Sequence, residues 1–306
     1  MVDKFIPTSK YKVTSDYEGT RLDNCLLSRI KGLPRTKIYS IIRKGEVRVN
    51  GSRCKPSHRL KKGDEIRIPP HFLLKPVNLN INQKTKEKII KNIIYEDKML
   101  LVIDKPVGLA SHGGSGISSG LIESIRKIKP QYKKAHLVHR LDKDTSGCII
   151  IALRLSVLRE LHKELRNGHV EKLYLAIVNG TWPKRLTEIE SNLKKNILKS
   201  GQREVQVSEE GKKSKSIFRV IRNHNNMSLV ECKILTGRTH QIRVHSSNAG
   251  FPILGDNKYG DKETNKIMKS KGLNRMLLHA KKISFPRLDL TFSAKDPPLF
   301  TKILSK

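Results

Sequence analysis

His139-Arg140-Leu141-Asp142-Lys143-Asp144-Thr145-Ser146-Gly147 is a polar run set between the apolar pair Leu137-Val138 and the apolar segment Cys148-Ile149-Ile150-Ile151-Ala152-Leu153. A short continuous apolar segment bounded by turn formers predicts a buried strand. The run before it then lies as a loop against a buried sheet edge, and loops on a rigid scaffold are where catalytic groups usually sit. Asp, Thr, Ser and Gly are also ordinary turn formers, so spacing alone leaves a solvated turn open beside a catalytic loop.

The composition around this stretch is strongly basic. Against 28 Asp and Glu the chain carries 62 Lys and Arg, a formal net charge of +34 over 306 residues. Such an excess points to a polyanion, because phosphate neutralisation and counterion release dominate nucleic-acid affinity. A cationic membrane-surface protein is the competing reading. No apolar run approaches the roughly 20 residues of a membrane span, and Met1-Val2-Asp3-Lys4-Phe5 lacks a signal-peptide core, which predicts a cytoplasmic protein. Cys25, Cys54, Cys148 and Cys232 are widely separated and show no metal-ligand spacing, so neither zinc nor a disulfide framework is indicated.

Downstream of the central run, Leu155, Leu158, Leu161, His162 and Leu165 recur at helical spacing and Asn167-Gly168 stops them. Glu171 through Gly180 reads as a strand with Lys172, Tyr174, Ala176 and Val178 on one face, where a tyrosine is ordinarily core. Residues 184–216 are basic and hydrophilic, open both to an edge that touches RNA and to a solvated insertion. Ser228 to Ile234 is strand-like and leads into Thr236-Gly237-Arg238-Thr239-His240-Gln241-Ile242-Arg243-Val244-His245. Seven of those ten residues are polar or charged on a start that looks helical, a density that is costly beside a core unless the groups are paired. His240 and His245 stand five apart with no acid adjacent, a poor spacing for one helical face, so no metal site is expected.

Upstream, Leu100-Leu101-Val102-Ile103 predicts a strand stopped at Asp104-Lys105-Pro106, since proline cannot donate to a ladder. Ser111-His112-Gly113-Gly114-Ser115-Gly116 is glycine-rich but lacks the GxxxxGK[ST] pattern, a weak signal that indicates no nucleotide cofactor. Leu22, Cys25, Leu26 and Ile30 predict one short helix and Ile38, Ile41 and Ile42 a second, with Gly32-Leu33-Pro34 between them. Val47, Val49, Ile66 and Ile68 alternate like strands around an Asn50-Gly51 turn that suits a hairpin. Between Arg35 and Lys75 twelve Lys or Arg stand against three acids. The divisions expected are a flexible N-terminus at 1–16, a small basic domain at 17–75, a charged, proline-punctuated linker at 76–92 and a large domain at 93–306.

The segment HRLDKDTSG resembles, without a gap, the signature of the RluA/RluC/RluD family of ribosomal pseudouridine synthases. KLYLAIVNG and TGRTHQIRVH resemble two further motifs of that family, and DKPVGLASHGGSG, PILGD, Tyr259-Gly260 and RMLLHA continue its pattern, nearest to the RluC branch, which makes the glycine-rich stretch a tight-turning wall of the site. RLDNCL, IRKGEVRVNG, KPS and LKKGDEIRIP resemble an S4 domain, the αL-type RNA-binding module. The resemblance implies an α+β fold, with the S4 domain followed by a catalytic domain on a mixed, largely antiparallel sheet. It makes Asp142 the essential catalytic residue, sets Tyr174 against the target base and pairs Arg243 with the catalytic aspartate. Arg140 would fill the space left by the flipped base, and Leu278 would line the base pocket or serve as core. Arg35, Lys37, Arg43, Lys44 and Lys55 become phosphate-facing candidates in the S4 domain, contacts that position rather than specify.

The chemistry so implied needs neither metal nor cofactor. The N1–C1′ bond of uridine breaks, the uracil turns, and C5 rejoins C1′. One carboxylate suffices, either adding covalently or abstracting a sugar proton to give a glycal. Asp142 would act ionised beside the Arg243 guanidinium, expected to reach it through a bidentate fork. The uridine must be flipped from its stack, and Asp144, with Thr145 and Ser146, would brace the loop. The expected partner is 23S rRNA and the expected state a monomer. Two other classes stay in view: a non-catalytic RNA-binding or ribosome-assembly protein, and a metal-dependent phosphohydrolase on His139, Asp142 and Asp144.

Overall fold

Leu22, Cys25 and Leu26 share the buried face of α1 (Leu22–Arg29), and Ile38, Ile41 and Ile42 that of α2 (Arg35–Arg43), as their spacing predicts. The computed structural model describes residues 2–30, 32–74, 81–113, 119–197 and 203–305, and the chain divides into two units, Met1–Asn80 and Ile81–Lys306. In the first unit the helices pack on Val13, Val47, Val49, Leu60, Ile66 and Ile68 as one apolar cluster. Asn50 and Gly51 both have positive φ, 50° and 78°, as a two-residue turn requires. That turn closes only on Ser52, however, through reciprocal Val49 and Ser52 backbone bonds. The strand partner of Arg48–Val49 comes later in the chain, at Glu65–Ile68, and the Asn50 side chain accepts the Glu65 amide at 2.8 Å.

The N-terminus corrects the expectation of a flexible 1–16. β1 (Val2–Ile6) and β2 (Ser9–Lys12) precede β3 (Arg48–Val49), β4 (Glu65–Ile68) and β5 (His71–Leu74); β1 pairs antiparallel with β5, and β2-β4-β3 form a three-stranded sheet. β2 is largely exposed, so it carries no apolar alternation by which it could be read. What orders it is backbone pairing with a strand far along the chain.

The expected linker at 76–92 is also corrected where it is described. α3 (Gln83–Lys91) is capped by the Asn82 side chain, which accepts the Lys84 amide at 2.9 Å, and it buries Ile89 in the core of the second unit. Its lysine-rich sequence hides that single anchor from any periodicity count. Residues 75–80 lie outside the described residues, as do Gly114–Ser118 of the glycine-rich wall.

The second unit is built on one mixed sheet. In chain order its elements are β6 (Ile93–Glu96), β7 (Leu100–Lys105), α4 (Leu121–Ile128), β8 (His136–Leu137), β9 (Ser146–Ala152), α5 (Leu155–Arg166), β10 (Glu171–Asn179), β11 (Glu188–Ile197), β12 (Arg203–Val207), β13 (Lys212–His224) and β14 (Met227–Ile234). There follow α6 (Gln241–Asn248), α7 (Lys262–Ser270), β15 (Leu278–Phe285), β16 (Leu290–Ser293) and α8 (Pro298–Leu304). The spatial order is β12-β11-β13-β14-β10-β15-β9-β7-β6, with β16 on β15 and β8 on β9. All these pairings are antiparallel except β9 with β15. The basic stretch 184–216 thus contributes β11, β12 and the start of β13 to one edge.

The parallel contact fixes where the site forms. β9 meets β15 only at its start, Ser146 opposite His279 and Gly147 opposite Ala280, while its far end pairs with β8. Gly147 has φ +114°, and a Cβ there would stand 2.3 Å from the Ala280 carbonyl oxygen, so only glycine allows this approach. Ile149, Ile150 and Ile151 are fully buried, each worth about 1.5–3 kcal/mol relative to exposure. The polar loop is therefore tethered to one of the most buried strands. Ile149 and Ile151 face a core shared with α4 and with Tyr174, Ala176 and Val178 of β10; Ile150 faces Val157 and Leu161 of α5. No helix among the described residues is long and apolar enough to cross a membrane.

Candidate active site

Residues 139–145 connect β8 to β9, and neighbouring backbone clamps them. Ser111 Oγ donates to the Leu141 carbonyl at 2.6 Å and accepts the Leu141 amide at 3.0 Å. Lys105, fully buried at the end of β7, donates through Nζ to the carbonyls of Pro106, Leu109 and Lys143 at 3.1, 2.7 and 3.1 Å. Burial pushes this ammonium down to about 7, against the opposing charges of Asp144 and Asp142. The Gly108 amide donates to the Lys143 carbonyl at 2.9 Å, and the His139 Nε2 accepts the Ile150 amide at 3.2 Å. Burial, with the charge of Lys172, lowers His139 to about 3, so it is a neutral acceptor. Bracing expected of Asp144 thus comes from Ser111, Lys105 and Gly108; Asp144 is exposed and acts on Lys105 by its charge.

This clamp presents Asp142 to the first turn of α6. Arg243 Nη1 donates to Asp142 Oδ2 at 3.2 Å. The expected bidentate fork goes elsewhere: Arg243 Nε and Nη2 donate to Asp256 Oδ2 and Oδ1 at 2.7 and 2.8 Å. The reason lies in burial. The Asp256 side chain is 1% exposed and needs a fully satisfied partner, whereas that of Asp142 is 29% exposed and open to a cavity. Burial opposes the Asp256 charge, but the Arg243 guanidinium and the amides of Lys258 and Tyr259 overcome it and hold the carboxyl below its ordinary range. Burial likewise opposes the Arg243 charge, and the two carboxylates more than offset it.

Asp142 opens into a cavity of about 470 Å³, within the roughly 300–1,000 Å³ of small-ligand pockets. Its walls include Arg140, Lys172, Tyr174, His240, Arg243 and Leu278. Tyr174 comes from β10 and Leu278 from β15, both buried. Burial first, then the charge of Asp142, raises Tyr174 well above the ordinary phenol range, so its hydroxyl keeps its proton. His240 starts α6 in a left-handed conformation, φ 55°, with Nε2 3.7 Å from Asp142 Oδ2 and Nδ1 2.8 Å from the Tyr259 hydroxyl. Arg140 is exposed at the cavity.

The fold therefore brings Asp142, Tyr174, Arg243, Arg140 and Leu278 to one cavity. Arg35, Lys37, Arg43, Lys44 and Lys55 are exposed on the first unit. Arg35 bonds the Tyr39 hydroxyl at 3.3 Å. Sequence reasoning missed the support around the carboxylate. Asp256 is the first acid after Arg243, and a buried guanidinium demands a carboxylate, so that signal was available. For Lys105 the signal was a charge closing a strand otherwise buried. For Tyr259 there was none beyond its motif.

Residues 99–248 match the RNA pseudouridylate synthase family and residues 20–66 the S4 domain. The ribosomal large subunit pseudouridine synthase C of Haemophilus influenzae is 47% identical over 278 residues, covering 89% of this chain and 85% of that protein. The protein of the same name from Escherichia coli K12 is 45% identical over 277 residues, covering 89% and 87%. Among solved structures, human RNA pseudouridylate synthase domain containing 4 aligns with a TM-score of 0.57 at 26% identity, over 72% of this chain and 94% of that one. Likeness on this scale, spanning the S4 segment and the carboxylate-bearing cavity alike, means that the chain belongs to the pseudouridine synthase family.

Proposed function

We propose that the protein isomerises specific uridines of 23S rRNA to pseudouridine, acting as a cytoplasmic monomer, with Asp142 as the catalytic carboxylate. The observation that carries this reading is a partly exposed carboxylate hydrogen-bonded by a buried arginine at the wall of a nucleotide-sized cavity lined by cations. A binding surface for RNA has no use for such a carboxylate, which repels phosphate. The relatives are named for the ribosomal large subunit, which supports its rRNA as the substrate here.

On this reading the flipped uridine enters with its sugar toward Asp142. Asp142 either attacks C1′ as the N1–C1′ bond breaks, forming an ester that C5 later displaces, or removes the C2′ proton as that bond breaks, leaving a glycal to which the proton is returned. In both cases the uracil leaves with the N1 electron pair and turns, C5 bonds to C1′, the C5 proton departs and N1 takes up a proton. Tyr174 abuts the base as a protonated phenol, since burial and the Asp142 charge disfavour its phenolate. Leu278 packs the pocket floor. Arg140 stands in the gap left in the RNA, and Arg35, Lys37, Arg43, Lys44 and Lys55 contact phosphates. Pseudouridine mapping on 23S rRNA by carbodiimide labelling and reverse transcription, in cells carrying the native chain or Asp142→Ala, tests this. Sites lost in the variant while rRNA binding persists are expected; sites unchanged by the substitution refute the assignment.

A further inference from the structure

We infer that His240 and Tyr259 form a positioning relay for Asp142, anchored on the backbone of edge strand β12. This inference rests on the proposed catalytic role of Asp142. The Val205 amide of β12 donates to the Tyr259 hydroxyl at 3.0 Å, and that hydroxyl lies 2.8 Å from His240 Nδ1. The hydroxyl donates to Nδ1, because the other tautomer would turn a bare Nε2 lone pair toward the Asp142 carboxylate. His240 is kept neutral by burial, with Arg243 and Lys258 nearby, although Asp142 works the other way. A neutral imidazole that accepts at Nδ1 carries its proton on Nε2. That Nε2–H stands 3.7 Å from Asp142 Oδ2, the oxygen that also accepts from Arg243. The relay thus turns a neutral N–H toward the carboxylate oxygen that Arg243 also bonds, and adds no charge.

Two features make this more than a chance contact. The left-handed backbone of His240, φ 55°, is uncommon for residues other than glycine, though histidine tolerates it better than most, and it aims the ring from the very start of α6. Tyr259 is held on all sides. Its ring packs with Leu193, Val205 and Val244 and lies 5.0 Å from the Arg243 guanidinium carbon. Its amide donates to Asp256 Oδ1 at 3.1 Å, and its carbonyl accepts the Ser247 hydroxyl at 2.8 Å. One tyrosine therefore holds both groups that face Asp142, His240 through its hydroxyl and Arg243 through its ring and Asp256.

Single-turnover release of tritium from RNA labelled at uridine C5, with enzyme in excess, reads the chemistry, and filter binding reads RNA affinity. Tyr259→Phe keeps the ring and removes only the hydroxyl. It is expected to slow the single-turnover step by about three- to tenfold, on the order of one neutral hydrogen bond, with RNA affinity unchanged and the melting temperature lowered only by the cost of the orphaned Val205 amide. His240→Asn suits the left-handed backbone but falls short of Asp142, and should slow the step similarly. His240→Gln, whose amide reaches further, should recover part of the rate. The double variant Tyr259→Phe/His240→Asn should be no slower than His240→Asn alone, because the hydroxyl acts through the imidazole. Full activity in Tyr259→Phe, additive losses, or losses that follow affinity overturn the relay. Absence of activity in the native chain, or its survival in Asp142→Asn, would instead overturn the underlying catalytic reading.

Discussion

Replacing Asp256 by asparagine should destabilise the catalytic unit and disarm it together. Asp256 receives two short bonds from Arg243, and both side chains are at least nine-tenths buried. Removing the charge leaves a buried guanidinium whose remaining partner is Asp142 at 3.2 Å. Breaking a buried pair costs about 3–5 kcal/mol, and the retained Asp142 contact puts this case near 3. At roughly 2–4 °C per kcal/mol for a unit of this size, the melting temperature should fall by roughly 6–12 °C at neutral pH. The pH dependence has a definite sign. Because Asp256 is held below its ordinary value in the folded state, its contribution is complete above about pH 4 and is lost as pH falls through the lower folded value. Asparagine has nothing to titrate there, so the gap between the two proteins should narrow on acidification. Calorimetric melts across pH, with single-turnover rates beside them, make the test. A melting point within 2 °C of the native value would refute the reasoning, and so would a gap unchanged as pH falls below 4.

The remaining expectations concern the loop and the RNA. Gly147→Ala places a Cβ against the Ala280 carbonyl on a strained backbone; it should lower stability by about 2–6 kcal/mol in denaturant melts and open the β9–β15 contact. Ser111→Ala unclamps both backbone groups of Leu141 and should cost about 1–3 kcal/mol, with the single-turnover rate falling while RNA affinity holds. Arg43→Ala or Lys55→Ala, both exposed, should weaken RNA binding and reduce the salt slope of log affinity by about 1, leaving the rate at saturating enzyme unchanged.

Much of this protein is local and was legible in the chain. Helical spacing placed α1, α2 and α5, and alternation placed β10 with Tyr174, Ala176 and Val178 on one face. The uninterrupted run 148–152 announced a strand buried on both sides. Motif resemblance then named the carboxylate and its arginine, because the order of residue types along each motif is specific. The misread segments share a cause. β2 is exposed and α3 buries one isoleucine, so neither shows a period; each is ordered by partners it does not carry itself.

The site's internal wiring belongs to the folded molecule. Asp142 and Arg243 stand 101 residues apart, and Val205 and Tyr259 54 apart. Which of two acids takes the arginine's fork depends on their burial, and burial follows from how β9, β15 and α6 converge. Residue type and local period set the helices, strands and loops, since these depend on near neighbours. Hydrogen-bond partners depend on register across the sheet, where a carboxylate on one loop meets an imidazole and a guanidinium only after distant strands have paired.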